Sequence, residues 1–382
     1  MKVAIIHDWL TGMRGGEKCL EVFCELFPQA DVFTLLYNKG SVSPTIARLP
    51  IKTSFIQHLP LSSKLYRNYL PLFPKAIESF DLKEYDFILS SSHCVAKGAK
   101  KSDKAFHLCY CYTPMRYVWS FFDDYFGTYS VFKKIIVKNV SNRLKKWDLA
   151  TLGRVDEFVA ISETIQNRIK NIYQRESAVI YPPVDVDKFF LDNNTKREDF
   201  YLCVCALVPY KRIDVIIDAF NRMSDKKLII VGDGNLQKEL KDKKTSNNIS
   251  FLGWVGDKEL LMLYQKAKAF VYMAEEDFGI AAIEAQSAGL PVIAYGKGGL
   301  AETIAPLGGN LSGAHPTGLF FKEQKQESLL EAIESFEAKE KEFSPEHIRK
   351  NALRFSREVF KDNIKNLILR RNPWALREMN AF

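Results

Sequence analysis

Two glutamates, Glu276 and Glu284, flank the start of a short apolar segment with seven residues between them, Phe278 and Gly279 among the seven. A carboxylate just before a helix, and another about a turn and a half into it, can each accept hydrogen bonds from ligand hydroxyls. The unpaired N–H groups at the same helix start favour phosphate. A phosphate held at a helix mouth with a polyol on either side is the shape of a nucleotide-sugar. Two cations, Lys211 and Arg212, stand at another helix start, where positive charge is disfavoured unless an anion is close by. A third motif is the loop Thr11-Gly-Met-Arg-Gly-Gly-Glu17, whose glycines Gly15 and Gly16 let a ligand come close to the backbone. It is not G-x-G-x-x-G, so a dinucleotide site is not expected.

The elements around these residues follow from hydrophobic pattern. Residues 269–273 and 291–295 are uninterrupted apolar runs that read as buried parallel strands. The intervening helix is expected to start near Gly279, to turn Ile280 and Ile283 inward, and to stop at Gly289 and Pro291. Its mouth then opens at the carboxyl end of a parallel strand, where open α/β sheets bind ligands. Further strands are predicted at 2–6, 31–37, 86–91, 107–112 and 158–161, and at 201–207, 227–231, 251–255 and 317–321. Strands alternating with helical patterns imply an α/β fold of two doubly wound domains, in keeping with 382 residues.

Composition narrows the class. Apolar content of 47% and charged content of 26% are those of a globular chain. The formal net charge is +8, and residues 1–180 carry all of it, with 25 Lys+Arg against 17 Asp+Glu. That asymmetry suits an anionic membrane surface or acceptor, and no nucleic-acid motif accompanies it. Residues 131–147 read as a basic amphipathic helix able to lie on such a surface. The seven cysteines include two Cys-x-Cys pairs within apolar runs, a pattern of buried reduced thiols and not of disulfides or zinc. Without a signal-peptide layout or a 20-residue apolar span, a cytoplasmic location is expected.

The segment from Glu276 to Glu284 resembles the Glu-x7-Glu motif of retaining family-4 glycosyltransferases with the GT-B fold. The resemblance implies two Rossmann-like domains facing across a cleft, over 1–181 and 182–354, with a helix in 355–382 crossing back to the first. It implies that Glu276 approaches the donor sugar, that Glu284 binds ribose hydroxyls, and that the backbone of Phe278, Gly279 and Ile280 meets sugar and pyrophosphate. Lys211 matches a pyrophosphate-binding lysine. The arginine expected five residues earlier is Ala206 here, which leaves Arg212 as its stand-in. Trp254 and Val255 would border the base, and Gly15, Gly16 and Glu17 match a Gly-Gly-x-Glu loop that faces the donor phosphates. Residues 112–119 resemble bacterial O-antigen and exopolysaccharide mannosyltransferases, in which a histidine stands at the place of Tyr112. His93 or His107 would have to substitute for it. The neighbouring Tyr117, Trp119, Phe121, Phe122, Tyr125 and Phe126 either stack on a sugar or lipid or fill core.

The expected activity is transfer of a sugar, mannose from GDP-mannose by the resemblance, to a lipid-linked saccharide or lipopolysaccharide-type acceptor. Lys211 and Arg212, with the Gly15-Gly16 amides, would stabilise the departing diphosphate. No Asp-x-Asp pair lies at a strand end near the site, so neither metal nor cofactor is expected. Two other readings suit the same architecture. A nucleotide-sugar epimerase or hydrolase would turn over donor without acceptor, and a non-catalytic binding protein would hold the donor unchanged.

Overall fold

In the computed structural model, which describes residues 1–119, 131–309 and 315–371, the strand and helix segments assemble into two sheets in which every pairing is parallel. The chain divides into two units, one built from Met1–Pro183 together with the segment from Glu358, the other from Val184–Arg357.

The first unit holds β1 (Val3–His7), β2 (Asp31–Thr34), β3 (Ile51–Thr53), β4 (Phe87–Ser92), β5 (Phe106–Cys111), β6 (Glu157–Ala160) and β7 (Ala178–Val179), in the order β3-β2-β1-β4-β5-β6-β7. Strands β3 and β7 are edge strands of three and two residues, too short to show a hydrophobic period in sequence. The helix Arg357–Arg371 packs on this unit through Phe360, Ile364 and Ile368, one residue per helical turn. The Phe360 ring meets those of Phe23 and Tyr110 at 5.5 Å, and Lys361 pairs with Glu25 at 3.2 Å.

The expected basic helix is present as Val131–Ala150. Leu144 is buried in the unit's own core with Val140 and Trp147 packed beside it, while Ile135 and Leu149 are exposed. Its buried Asp148 receives Lys97 at 2.8 Å, the Trp119 indole N–H at 2.8 Å and the Tyr173 hydroxyl at 2.8 Å. Trp119 therefore serves the core, whereas Phe121, Phe122, Tyr125 and Phe126 lie outside the described residues.

The second unit holds β8 (Phe200–Val204), β9 (Lys227–Val231), β10 (Ile249–Gly253), β11 (Ala269–Tyr272), β12 (Val292–Tyr295) and β13 (Gly318–Phe321), in the order β10-β9-β8-β11-β12-β13. This is the doubly wound order of a Rossmann sheet. Successive residues point to opposite faces. Tyr201, Cys203, Ala269, Val271 and Ile293 bury on one side, and Phe200, Leu202, Phe270, Tyr272 and Val292 on the other. Strand β8 ends at Val204, so residues 205–207, expected to continue it, form the loop leading to Lys211. Strand β10 starts earlier than its apolar pattern suggests and stops at Gly253, whose φ of +72° turns the chain out of the sheet. All seven cysteines are free thiols, six buried and Cys205 half-buried. Among the described residues no helix is long and apolar enough to cross a membrane.

Candidate active site

Strands β8 and β11 are neighbours, yet the sheet is completed by β9 and β10 beyond one and by β12 and β13 beyond the other. The loops leaving their carboxyl ends diverge, which opens a crevice at this switch of strand order. The loop after β8 delivers Lys211 and the loop after β11 delivers Glu276. The Lys211 ammonium pairs with the Glu276 carboxylate and donates to the Tyr272 hydroxyl at 2.8 Å. The Tyr272 hydroxyl in turn donates to Glu276 Oε1 at 2.9 Å. Lys211 and Glu276 keep only 10% and 15% of their side-chain surface exposed. Burial works against the ammonium, but the Glu276 carboxylate outweighs it and holds the Lys211 pKa above the ordinary lysine value. Burial and the same carboxylate raise the Tyr272 hydroxyl well above the usual tyrosine range, so it stays a donor.

Two glycines make this loop geometry possible. Gly279 has a φ of +93° and starts the helix Ile280–Ser287, where a side chain would run into Leu300. Gly298 has a φ of +67°, and a Cβ there would collide with the Glu276 carbonyl oxygen. The next amide, Gly299 N–H, donates to that oxygen at 2.7 Å, so the loops after β11 and β12 are stitched together behind Glu276.

The helix Ile280–Ser287 buries Ala282 through Ser287, because the helix Pro345–Ala352 covers its outer side and Asn351 donates to Gln286 at 2.8 Å. Ile283 is buried as expected. Ile280 is only half-buried, since it occupies the first turn at the mouth of the crevice. Glu284 is 8% exposed and accepts a long hydrogen bond from Tyr264 at 3.5 Å. At the far end, Arg197 donates to the Ala267 and Ala288 carbonyls at 2.8 and 3.2 Å, and Arg349 to Ser287 at 2.7 Å. Burial pushes the Arg197 pKa down to about 10. These cations sit where the helix dipole is negative and hold the acid-bearing helix in place.

The remaining candidates of this unit are less tightly gathered. Arg212 has a φ of +51° and pairs with Asp214 at 3.3 Å, about 40% exposed, while Lys211 beside it joins Glu276. Ala206 is exposed. The Phe278 ring is buried against Phe355 at 5.6 Å. Trp254 is 77% exposed at the end of β10, with Val255 half-buried after it. Tyr272 is the member that sequence reading missed. Its only signal was a hydroxyl-bearing aromatic at the carboxyl end of an apolar strand.

In the first unit the corresponding switch lies between β1 and β4. Gly15 and Gly16 open the helix Gly15–Leu26, and the Glu17 carboxylate accepts from the Arg14 amide at 3.1 Å. Burial opposes the Glu17 charge, but His7, 3.9 Å away, holds its pKa below the ordinary range. The fully buried Asp8 accepts four backbone N–H groups, from His93, Cys94, Val95 and Ala96, at 2.7–2.9 Å. That carboxylate fixes the turn after β4, and nothing local in sequence announced it. His93 lies on this turn, 3.2 Å from Asp8, with its ring edge-on to Trp9. Burial lowers its pKa although Asp8 pulls the other way.

His107 is a different case. It is fully buried near the amino end of β5, with one ring nitrogen 2.8 Å from the Ser90 hydroxyl and the other 2.9 Å from the Arg154 carbonyl. Burial brings its pKa to about 4. It is a neutral core residue and does not replace a histidine at Tyr112. Tyr112 itself is hydrogen-bonded to the Gly16 carbonyl at 3.0 Å.

Residues 185–355 match the family described as Glycosyl transferases group 1. The chain is 32% identical over 153 residues to the O-antigen chain mannosyltransferase RfbU of Salmonella typhimurium, covering 37% of this chain and 43% of that one. It is 34% identical over 183 residues to the GDP-mannose-dependent monoacylated alpha-(1-6)-phosphatidylinositol monomannoside mannosyltransferase of Corynebacterium glutamicum, covering 41% and 48%. The matches thus span less than half of either relative. Over 96% of this chain and 99% of the other, the fold is that of Anabaena HepE, solved in complex with UDP, with a TM-score of 0.66 and 17% identity. The strand order and the structural likeness give the chain the GT-B fold of two Rossmann-like α/β units, and within it residues 185–355 are the part similar to the glycosyltransferase group 1 family.

Proposed function

We propose that the chain is a retaining glycosyltransferase that moves mannose from GDP-mannose to a lipid-linked saccharide or lipopolysaccharide-type acceptor. The observation that carries the reading is the Lys211–Tyr272–Glu276 cluster at the β8/β11 switch, next to the mouth of the helix bearing Glu284. A buried cation and a helix N-terminus together favour a diphosphate, and two acids favour hydroxyls on either side of it. Lys211 takes the diphosphate, with the Gly15 and Gly16 amides assisting. Glu276 orients the sugar, Glu284 holds the ribose, and the backbone of Trp254 and Val255 borders the base. Arg212, engaged by Asp214, has at most an auxiliary part.

The anomeric carbon–oxygen bond breaks with its electron pair leaving on the diphosphate. The acceptor hydroxyl attacks on the face the diphosphate leaves. Its proton passes to a departing phosphate oxygen, so no protein base is needed. Lys211 and the amides carry the charge that develops on the leaving group. Mannose is supported by the names of both mannosyltransferase relatives, and guanine by the name of the Corynebacterium glutamicum one.

We place the enzyme at the cytoplasmic face of an anionic membrane, where a lipid-linked acceptor would be presented. Residues 32–77 contain six Lys or Arg and no Asp or Glu, and Leu61, Leu65 and Leu72 are exposed among them. Equal binding to neutral and anionic vesicles at low salt would remove this part of the proposal.

The test of the donor is a thermal-unfolding panel of nucleotide-sugars, followed by transfer assays with the one that protects best. GDP-mannose should give the largest shift. Protection by a uridine donor alone would overturn the guanine and mannose assignment. Donor breakdown without acceptor dependence would favour a hydrolase or epimerase, and binding without turnover a non-catalytic role.

A further inference from the structure

A buried chain of hydrogen bonds runs beneath the Gly15-Gly16 loop, and its chemistry fixes its direction. His7 and Ser91 are register partners at the carboxyl ends of β1 and β4. His7 Nδ1 is 3.0 Å from the Ser91 hydroxyl, which is 2.8 Å from the Tyr112 hydroxyl, which is 3.0 Å from the Gly16 carbonyl oxygen. A carbonyl oxygen only accepts, so Tyr112 spends its single proton on Gly16. Ser91 must then donate to Tyr112, and His7 must carry a proton on Nδ1 to supply Ser91. Burial raises the Tyr112 pKa well above the usual range, so the hydroxyl keeps that proton. The Cys19 thiol is also beside it, a much weaker partner.

The loop rests directly on these rings. A Cβ at Gly16 would stand 3.4 Å from His7 Cε1 and 3.7 Å from Tyr112 Cζ. His7 and Ser91 are fully buried, and His7 Nε2 faces Glu17, the residue that caps the loop from the other side.

We infer that His7, Ser91 and Tyr112 are positioning residues that hold the Gly16 peptide, and with it the amides of the first helical turn, in one orientation. The inference rests on the reading that assigns the Gly15-Gly16 amides to the donor. In this chain the tyrosine at position 112 would act on the reaction through the loop, by a hydroxyl relay.

The test uses Tyr112→Phe and Ser91→Ala in the full-length protein, each of which cuts the relay at a different hydroxyl. The first readout is amide hydrogen exchange, which does not depend on activity. Exchange across residues 12–18 should quicken by roughly tenfold in both variants, with the second unit unchanged. The second readout is steady-state transfer. The kcat should fall on the order of tenfold or more, with the donor KM little changed, because a misplaced donor amide costs the transition state more than the ground state. The double variant should be no slower than either single one, since both cut the same chain. Unchanged exchange in both variants would overturn the relay. Faster exchange with undiminished kcat, or additive losses in the double variant, would overturn its positioning role. If the wild-type protein transfers no sugar, the proposed function fails, while the exchange result still decides whether the relay holds the loop.

Discussion

Replacing Glu276 by glutamine separates two roles of one carboxylate. Glu276 is the counter-ion of Lys211, and the two are in contact at the β8/β11 switch. A diphosphate that takes Lys211 brings its oxygen about 3 Å from Nζ, and so about 5 Å from the Glu276 oxygens. At an effective dielectric near 20, two like unit charges at that distance repel by about 3 kcal/mol. The pair keeps 10–15% exposure, so solvent reduces this to roughly 1–2 kcal/mol. Glu276→Gln should therefore bind a nucleoside diphosphate about 5- to 30-fold more tightly. Transfer should nevertheless fall by about 10²- to 10³-fold, because the sugar loses its orienting charge. Without ligand the variant should be less stable, since Lys211 is left buried with no carboxylate and its pKa drops. Isothermal titration with GDP, thermal unfolding with and without GDP, and a transfer assay read all three effects. Weaker GDP binding combined with intact transfer would refute both the competition and the orienting role.

Three further outcomes are expected. Gly298→Ala forces a side chain into a φ of +67° and against the Glu276 carbonyl, so it should cost at least about 2 kcal/mol of stability and most of the transfer activity; urea unfolding and initial rates check both. His107 titrates near 4 in the folded chain against about 6.5 unfolded, so the unfolded state binds the proton first as pH falls. Its stabilising contribution is complete above pH 6.5, is reduced by about 2 kcal/mol at pH 5, and is lost through pH 4; the slope of stability against pH should shrink in His107→Gln. Asp8→Asn places an amide N–H₂ among four donated backbone N–H groups and should destabilise the first unit by about 2–4 kcal/mol, with exchange increasing first at residues 93–96; unchanged exchange there would show that the carboxylate does not hold the turn.

The acid-bearing motif of the second unit was legible for a local reason. Glu276, Phe278, Gly279 and Glu284 are close in sequence, and the helix start that relates them is set by one glycine with positive φ. The alternation of apolar runs and helical segments likewise announced the two doubly wound sheets. Tyr272 was hidden because an apolar strand offers no sign of which terminal residue will turn its hydroxyl to a neighbour. His107 misled because a polar residue in a strand looks the same whether it sits at the ligand end or the opposite end. Only the pairing of β4 with β5 placed it beside Ser90 and away from the loops.

Residue order alone determined most of the secondary elements and their arrangement as two doubly wound α/β units, because period, turn chemistry and apolar runs act over a few residues; the GT-B fold and the pair of acids came from the resemblance of one local motif. Partnership was decided only in three dimensions. Lys211 meets Glu276 while adjacent Arg212 meets Asp214. Asp8 gathers amides 85 to 88 positions away, and Tyr112 holds a glycine 96 positions distant. Such contacts depend on which strands lie side by side, and that order comes from the packing of whole sheets, which no short stretch of chain encodes.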